Sequence, residues 1–226
     1  MGKGERRVHL NRRTLLGLAA MPWLESRRPA LAQTGAIPND LRFVAKHRGR
    51  PAGEHRVSFR RDRDRLLVTT HIDITVNVLI FTAFRFEHDA EEVWQSGRLV
   101  SVRSTTNDDG TRLQVSGDAA AGGFRIIGED GPFLASAQLL TSNTLWNSRL
   151  VRETRLIDVQ HGGEVGLVVK PLGAEPVDTP HGQVRANRFQ VITPNYAGSV
   201  YFDGDGRWVK GLIERQGEIL EYALAP

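Results

Sequence analysis

His71 and Asp73 are the side chains whose types and spacing come nearest to a catalytic arrangement. They stand two positions apart in His71-Ile72-Asp73-Ile74-Thr75-Val76-Asn77, and on an extended strand residues i and i+2 leave the same face. A carboxylate beside an imidazole fixes its tautomer and raises its basicity, as a general base needs. The same pair would supply two ligands of a metal site, with a third from His161 or His181. Thr75 and Asn77 continue the row, and four polar side chains without Lys, Arg or Glu suit the lining of a concave sheet. The plainer reading is that this row faces water while the Ile/Val row faces the core, as half-exposed strands usually do.

Trp146-Asn147 offers an indole to stack on a ligand and an amide to hydrogen-bond it. Equally, Trp146 would plug the open end of a sheet, with Asn147 capping a short helix that begins at Ser148. Tyr201 flanks a turn and suits either ligand contact or cross-strand packing with Trp208. Between them, Asp203-Gly204-Asp205-Gly206 opens like a calcium loop. Arg207 and Trp208 then stand where that pattern demands an acid or amide and a glycine, so a tight hairpin explains the stretch better. No G-x-S-x-G, H-E-x-x-H, G-x-x-x-x-G-K or G-x-G-x-x-G is present. The common hydrolase, nucleotide-dependent and dinucleotide-dependent classes are thus without support. Cysteine is absent, which removes disulfides, iron–sulfur clusters and thiolate zinc sites. No cofactor is expected.

The elements that must position these residues have a period of two. Alternate positions from Leu66 to Phe86 form one row, in which nine of eleven residues are apolar. β-branched residues fill its middle, as a half-buried strand requires. Laid out straight, the segment would be about 70 Å long, roughly twice the width of a domain this size. It must bend, fold into two strands, or curl as the wall of a barrel or half-barrel does. Turn residues repeat at 61–64, 107–110, 129–131, 161–163, 203–206 and 216–217, each between apolar alternations. Only the stretch 132–155 breaks the pattern, with spacing that suits one or two short helices or a covering loop. The fold class is all-β: a single curled antiparallel sheet, half-barrel or meander, forming one domain over 41–226 after a short 33–40 segment.

Asn11-Arg12-Arg13-Thr14 precedes a short apolar run, and Ala30-Leu31-Ala32 follows. A charged start, about ten apolar residues and a small-x-small site describe an export signal over 1–32, cleaved after Ala32. The adjacent arginines resemble the twin-arginine type, which carries folded proteins. The run is too short to remain as a membrane anchor, and a periplasmic location follows. The chain has 30 basic and 26 acidic side chains, of which the first 32 residues hold seven and two. The remainder carries a net charge of −1, so no polyanion footprint is left and nucleic acid is excluded as a partner.

The order of several landmarks is similar to that of a known family. Glu92-Val93-Trp94 with Gly97 leads into Leu99, followed by Ser104-Thr105-Thr106-Asn107 with Gly110 and by Trp146-Asn147. Tyr201-Phe202-Asp203 with Gly206-Arg207 and Val209-Lys210 closes the series. Together these resemble a family of exported bacterial proteins catalogued as domain of unknown function 6134, over roughly residues 41–215. That resemblance implies a curled antiparallel sheet, similar in outline to the periplasmic lipoprotein-carrier half-barrels, and transfers no functional residue. The expected role is non-enzymatic: a carrier or chaperone that holds an apolar or amphipathic molecule, or a lipidated partner, on a concave sheet. The alternatives are a periplasmic enzyme using His71 and Asp73 and an accessory protein that binds a partner.

Overall fold

The computed structural model describes residues 38–226 apart from 79, 80 and 216. The export signal expected over 1–32 lies outside the described residues. The described chain forms sixteen strands: β1 Leu41–His47, β2 Arg50–Asp62, β3 Arg65–Val78, β4 Phe81–Gln95, β5 Arg98–Asp108, β6 Thr111–Ala120, β7 Gly123–Gly128, β8 Gly131–Ala135, β9 Leu140–Thr141, β10 Arg155–Ile157, β11 Glu164–Gly166, β12 Val168–Thr179, β13 Gly182–Ile192, β14 Ala197–Phe202, β15 Trp208–Arg215 and β16 Glu218–Leu224. Thirteen of them make one antiparallel sheet in the order β12 to β16, then β1 to β8. The pairing of β16 with β1, Phe43 opposite Leu224, joins a C-terminal meander to an N-terminal one. The sheet does not close into a barrel, because β8 and β12 are its two edges. Both edges are blunted against further strand pairing: β8 carries Pro132, and β12 carries Pro171, Pro176 and a bulge at Leu172.

The long alternation of 66–86 is two strands. β3 and β4 pair from Arg65↔Gln95 to Val78↔Phe81. Two slips of phase cancel and hide the hairpin from a parity reading. The turn returns the chain out of step, and the extra residue at Ala83 restores it, so Phe84 faces Val76 on the inner side. Thr82, opposite Asn77, is exposed and shows the break. Further register shifts fall at Ala45/Lys46, Val93/Trp94 and Tyr201/Phe202. Each such bulge bends its strand and increases the local twist, which is how a long sheet curls. Tight turns join the strands: Asp109-Gly110 takes φ values of 52° and 95°, and Ser96-Gly97 takes 50° and 73°. Those left-handed pairs match the right-handed twist of the flanking strands.

One glycine in the curl is obligatory. Gly53 has φ +148°, and a Cβ there would lie 1.9 Å from the Asp73 carbonyl oxygen on β3. Gly53→Ala should therefore destabilise the protein by about 2 kcal/mol or more in denaturant unfolding. An unchanged midpoint would contradict this close approach of β2 to β3.

The concave face is filled in two ways. Around β1 and β15, Phe43 and Trp208 are fully buried with ring centroids 4.0 Å apart. Elsewhere the filling is the segment 136–167, which crosses from β8 to β12 as a strap. The strap contains two short 3-10 segments, Thr144–Trp146 and Ser148–Arg152, and the small sheet β11-β10-β9. It sends Leu140, Leu145, Leu150, Leu156 and Ile157 into the same core as the inward row of the large sheet. The covering element expected over 132–155 thus begins later, at 136, since Phe133 and Leu134 belong to the edge strand β8.

Candidate functional site

The structure does not gather the sequence-predicted site residues into one site: His71, Asp73, Thr75 and Asn77 share one face of β3, whereas Trp146, Asn147 and Tyr201 lie elsewhere. Ile72, Ile74 and Val76 are buried, so the alternate row of His71, Asp73, Thr75 and Asn77 lies on the outer face of β3. His71 does not pair with Asp73. Its Nδ1 lies 2.7 Å from Asp89 Oδ1, its neighbour across the strand pair on β4. The two side chains are 44% and 64% exposed, and surface ion pairs of this kind contribute little, about 0–1 kcal/mol. Asp73 is exposed, and Asn77 Oδ1 accepts a hydrogen bond from Thr82. Asn147 accepts from the Arg149 backbone N–H at 3.0 Å and so caps the second 3-10 turn. Trp146 packs edge-on against Phe59 and Trp94. Tyr201 is buried on the outer face, flanked by Arg188 and Lys210 at 5.5 and 5.7 Å from its ring. Asp203 spends its carboxylate on the backbone N–H groups of Asp205 and Arg207, which makes that stretch a hairpin turn. No three His, Cys, Asp or Glu side chains gather as metal ligands among the described residues.

A different group of polar residues lies inside. The inward row of β4 does not stop at Phe86 but continues through His88, Ala90, Glu92 and Trp94, all buried. On β2 His55 is in phase with Val57, and on β5 Ser104 and Thr106 are in phase with Val102. The signal was available in the sequence as ionisable residues in phase with an apolar row, though it says nothing about which strands meet. Most of these groups fasten the strap to the sheet. Thr141 donates its hydroxyl proton to Glu92 Oε1 at 2.6 Å, and Trp94 Nε1 donates to Glu92 Oε2 at 2.8 Å. Asn143 Nδ2 donates to His88 Nε2 at 2.6 Å, which leaves the imidazole proton on Nδ1, 2.8 Å from the Thr106 hydroxyl. Ser104 donates to the Val159 carbonyl at 2.5 Å, and Gln160 donates to Asp108 at 3.1 Å.

Burial sets the protonation of this interior. It pushes the Glu92 carboxyl up to about 7, against the pull of its two hydrogen bonds. It pulls His88 down to about 4 and His55 to about 3, the nearby His88 and His71 adding to the latter. It also raises Tyr196 and Tyr222, so both phenols keep their protons. At neutral pH the two imidazoles are uncharged.

Between strap and sheet lies a cavity of about 90 Å³. The sheet contributes His55, Phe86, His88, Arg215 and Tyr222; the strap contributes Ser142, Asn143, Asp158 and Gln160; Asn195 and Tyr196 come from the loop between β13 and β14. The charged groups at its edge are already engaged. Arg215 is ion-paired with Asp108, its guanidinium 4.0 Å above the Phe86 ring. Asp158 accepts from the Gln160 backbone N–H, His161 Nδ1 and Asn195 Nδ2 at 2.8, 3.0 and 2.9 Å. Two lining groups are not engaged: His55 Nε2 and the Tyr196 hydroxyl are buried with no hydrogen-bond partner among the described residues. Burying such atoms unsatisfied costs about 1–3 kcal/mol each, and both belong to residues that line this one cavity, which marks it as the candidate site. A wider trough of about 580 Å³ crosses the outer face of β3 to β7 past Asp89, Glu91, Arg103 and Gln114. It is open to water and contains no such buried group among the described residues.

Comparison with known proteins agrees with this architecture. No curated protein matches the chain. Among solved structures, the beta-barrel-like protein of domain of unknown function DUF1849 from Brucella abortus is similar at 9% identity with a TM-score of 0.59. The match covers 84% of this chain and 96% of that one. At such low identity the likeness concerns the fold alone. The model of the family described as Domain of unknown function (DUF6134) matches residues 43–225, from the middle of β1 to just past β16. The chain therefore belongs to the DUF6134 family.

Proposed function

We propose that this chain is an exported, periplasmic binding protein that performs no chemistry on its ligand and holds it in the cavity between the curled sheet and its strap. The observation that carries the reading is a pair of buried polar atoms without a partner among the described residues, His55 Nε2 and the Tyr196 hydroxyl, on two residues that line one small cavity. Export is supported by the twin arginines, apolar run and Ala30-Leu31-Ala32 site of the first 32 residues. The cavity's size favours a small ligand over an acyl chain, since pockets for drug-sized molecules are about 300–1,000 Å³. An acyl chain or lipidated partner would first have to displace Leu140, Leu145 and Leu150 of the strap.

Two measurements test this. Mass spectrometry of molecules released on denaturing the natively purified protein should find one small compound at near-stoichiometric amount, reduced in the Tyr196→Phe variant; release of nothing, or of a fatty acid, would contradict the proposal. The enzymatic alternative through His71 and Asp73 predicts an essential His71. Because His71 makes only a surface pair, His71→Ala should retain ligand and shift stability by less than about 0.5 kcal/mol. Loss of ligand in that variant would move the site to the outer face.

A further inference from the structure

We infer that the cavity takes a small uncharged molecule carrying both a hydrogen-bond donor and an acceptor, a primary amide or a short alcohol, bound to the Tyr196 hydroxyl and to His55 Nε2. The inference rests on reading the cavity as a binding site and specifies what enters it. Volume sets the first bound: about 90 Å³ is the room of about three waters, or of a molecule with about four non-hydrogen atoms. Charge sets the second. Arg215 is neutralised by Asp108, and Asp158 has its carboxylate occupied by three donors. An anion would enter against Asp158 and a cation against Arg215, and neither would find a free counter-charge; a buried charge without one is strongly disfavoured. The third bound is hydrogen bonding. His88 Nε2 is taken by Asn143, whereas the buried Tyr196 hydroxyl and His55 Nε2 have no partner among the described residues. The phenol can donate a proton, and Nε2 donates or accepts according to its tautomer. An apolar molecule would satisfy neither.

Four probes small enough for the cavity separate the possibilities: acetamide, acetate, methylammonium and xenon. The protein is labelled with ¹⁵N, and the imidazole resonances of His55 are followed at pH 7 as each is added. Acetamide should shift them saturably in the millimolar range, and Tyr196→Phe should weaken that binding about tenfold, the contribution of one good hydrogen bond. In the absence of probe, Tyr196→Phe should melt no lower than wild type, because the hydroxyl it removes has no partner among the described residues. Stronger binding of acetate, methylammonium or xenon at His55 overturns the assignment to an uncharged polar molecule and leaves the cavity reading standing. A silent His55 with all four probes overturns both. Unchanged acetamide affinity in Tyr196→Phe, or failure of that variant to fold, overturns the role given to the hydroxyl and the inference with it.

Discussion

Between pH 7 and pH 4, His55 and His88 will each withdraw about 3 kcal/mol of stability from the folded protein. Burial holds their folded values at about 3 and about 4, against the ordinary 6.5. Over that interval the unfolded chain binds protons that the folded chain refuses. The stability they contribute is complete above pH 6.5 and falls as the pH drops toward the folded values. Glu92 works in the opposite sense. Its folded value of about 7 lies above the ordinary 4.5, so the folded protein holds a proton that the unfolded chain releases. That contribution is complete below pH 4.5 and is lost as the pH rises through 7. Near pH 5.5 the unfolded chain gains about two protons through the histidines and gives back about one through Glu92. Stability should rise with pH there by about 1.4 kcal/mol per unit, one proton's worth. Urea unfolding at half-unit steps from pH 4.5 to 7 measures this slope, and a flat profile would contradict two imidazoles held neutral by burial.

Glu92→Gln isolates the opposing group. The amide keeps the length of the side chain, still accepts from Trp94 Nε1, and can donate to the Thr141 hydroxyl, which now donates to Glu92 and lies 2.6 Å from Thr144. It removes the cost of ionising a fully buried carboxyl, which is 2.5 pH units by its ordinary and folded values, or about 3 kcal/mol. At pH 8 the variant should therefore be more stable than wild type by about that amount, and at pH 4 the two should differ little. Its slope near pH 5.5 should double to about two protons, because the histidines then act without opposition. Equal stability of the two proteins at pH 8 would mean that water reaches Glu92 and that the strap does not seal this part of the interior.

Architecture was far more legible in the sequence than the site. The period-two rows, the turn residues and the exceptional stretch near 132–155 are local signals, and they read out a curled antiparallel meander because each strand pairs with the next. The β16–β1 pairing joins chain ends that are far apart in sequence, and nothing local reports it. The hairpin within 66–86 was obscured by a turn and a bulge whose phase shifts cancel. For the site, His71 and Asp73 are near neighbours in sequence and share a face of β3, but the buried Ile72 and Ile74 make that face the outer one. His55, His88, Asp158 and Tyr196 come from β2, β4, the strap and a loop, and only the curl brings them around one void. His88 and Glu92 carried a usable signal, an ionisable group in step with buried neighbours. Tyr196 and Asp158 carried none, because loop residues have no period to violate.

His55 and Tyr196 line a cavity that, under the proposed function, holds a small ligand. A crystal structure of the protein as natively purified, at a resolution that separates water from a small organic molecule, tests it most directly. One compact non-water feature is expected within hydrogen-bond distance of both His55 Nε2 and the Tyr196 hydroxyl. A cavity holding only water, or side chains rearranged so that each atom bonds to protein and no void remains, would contradict it.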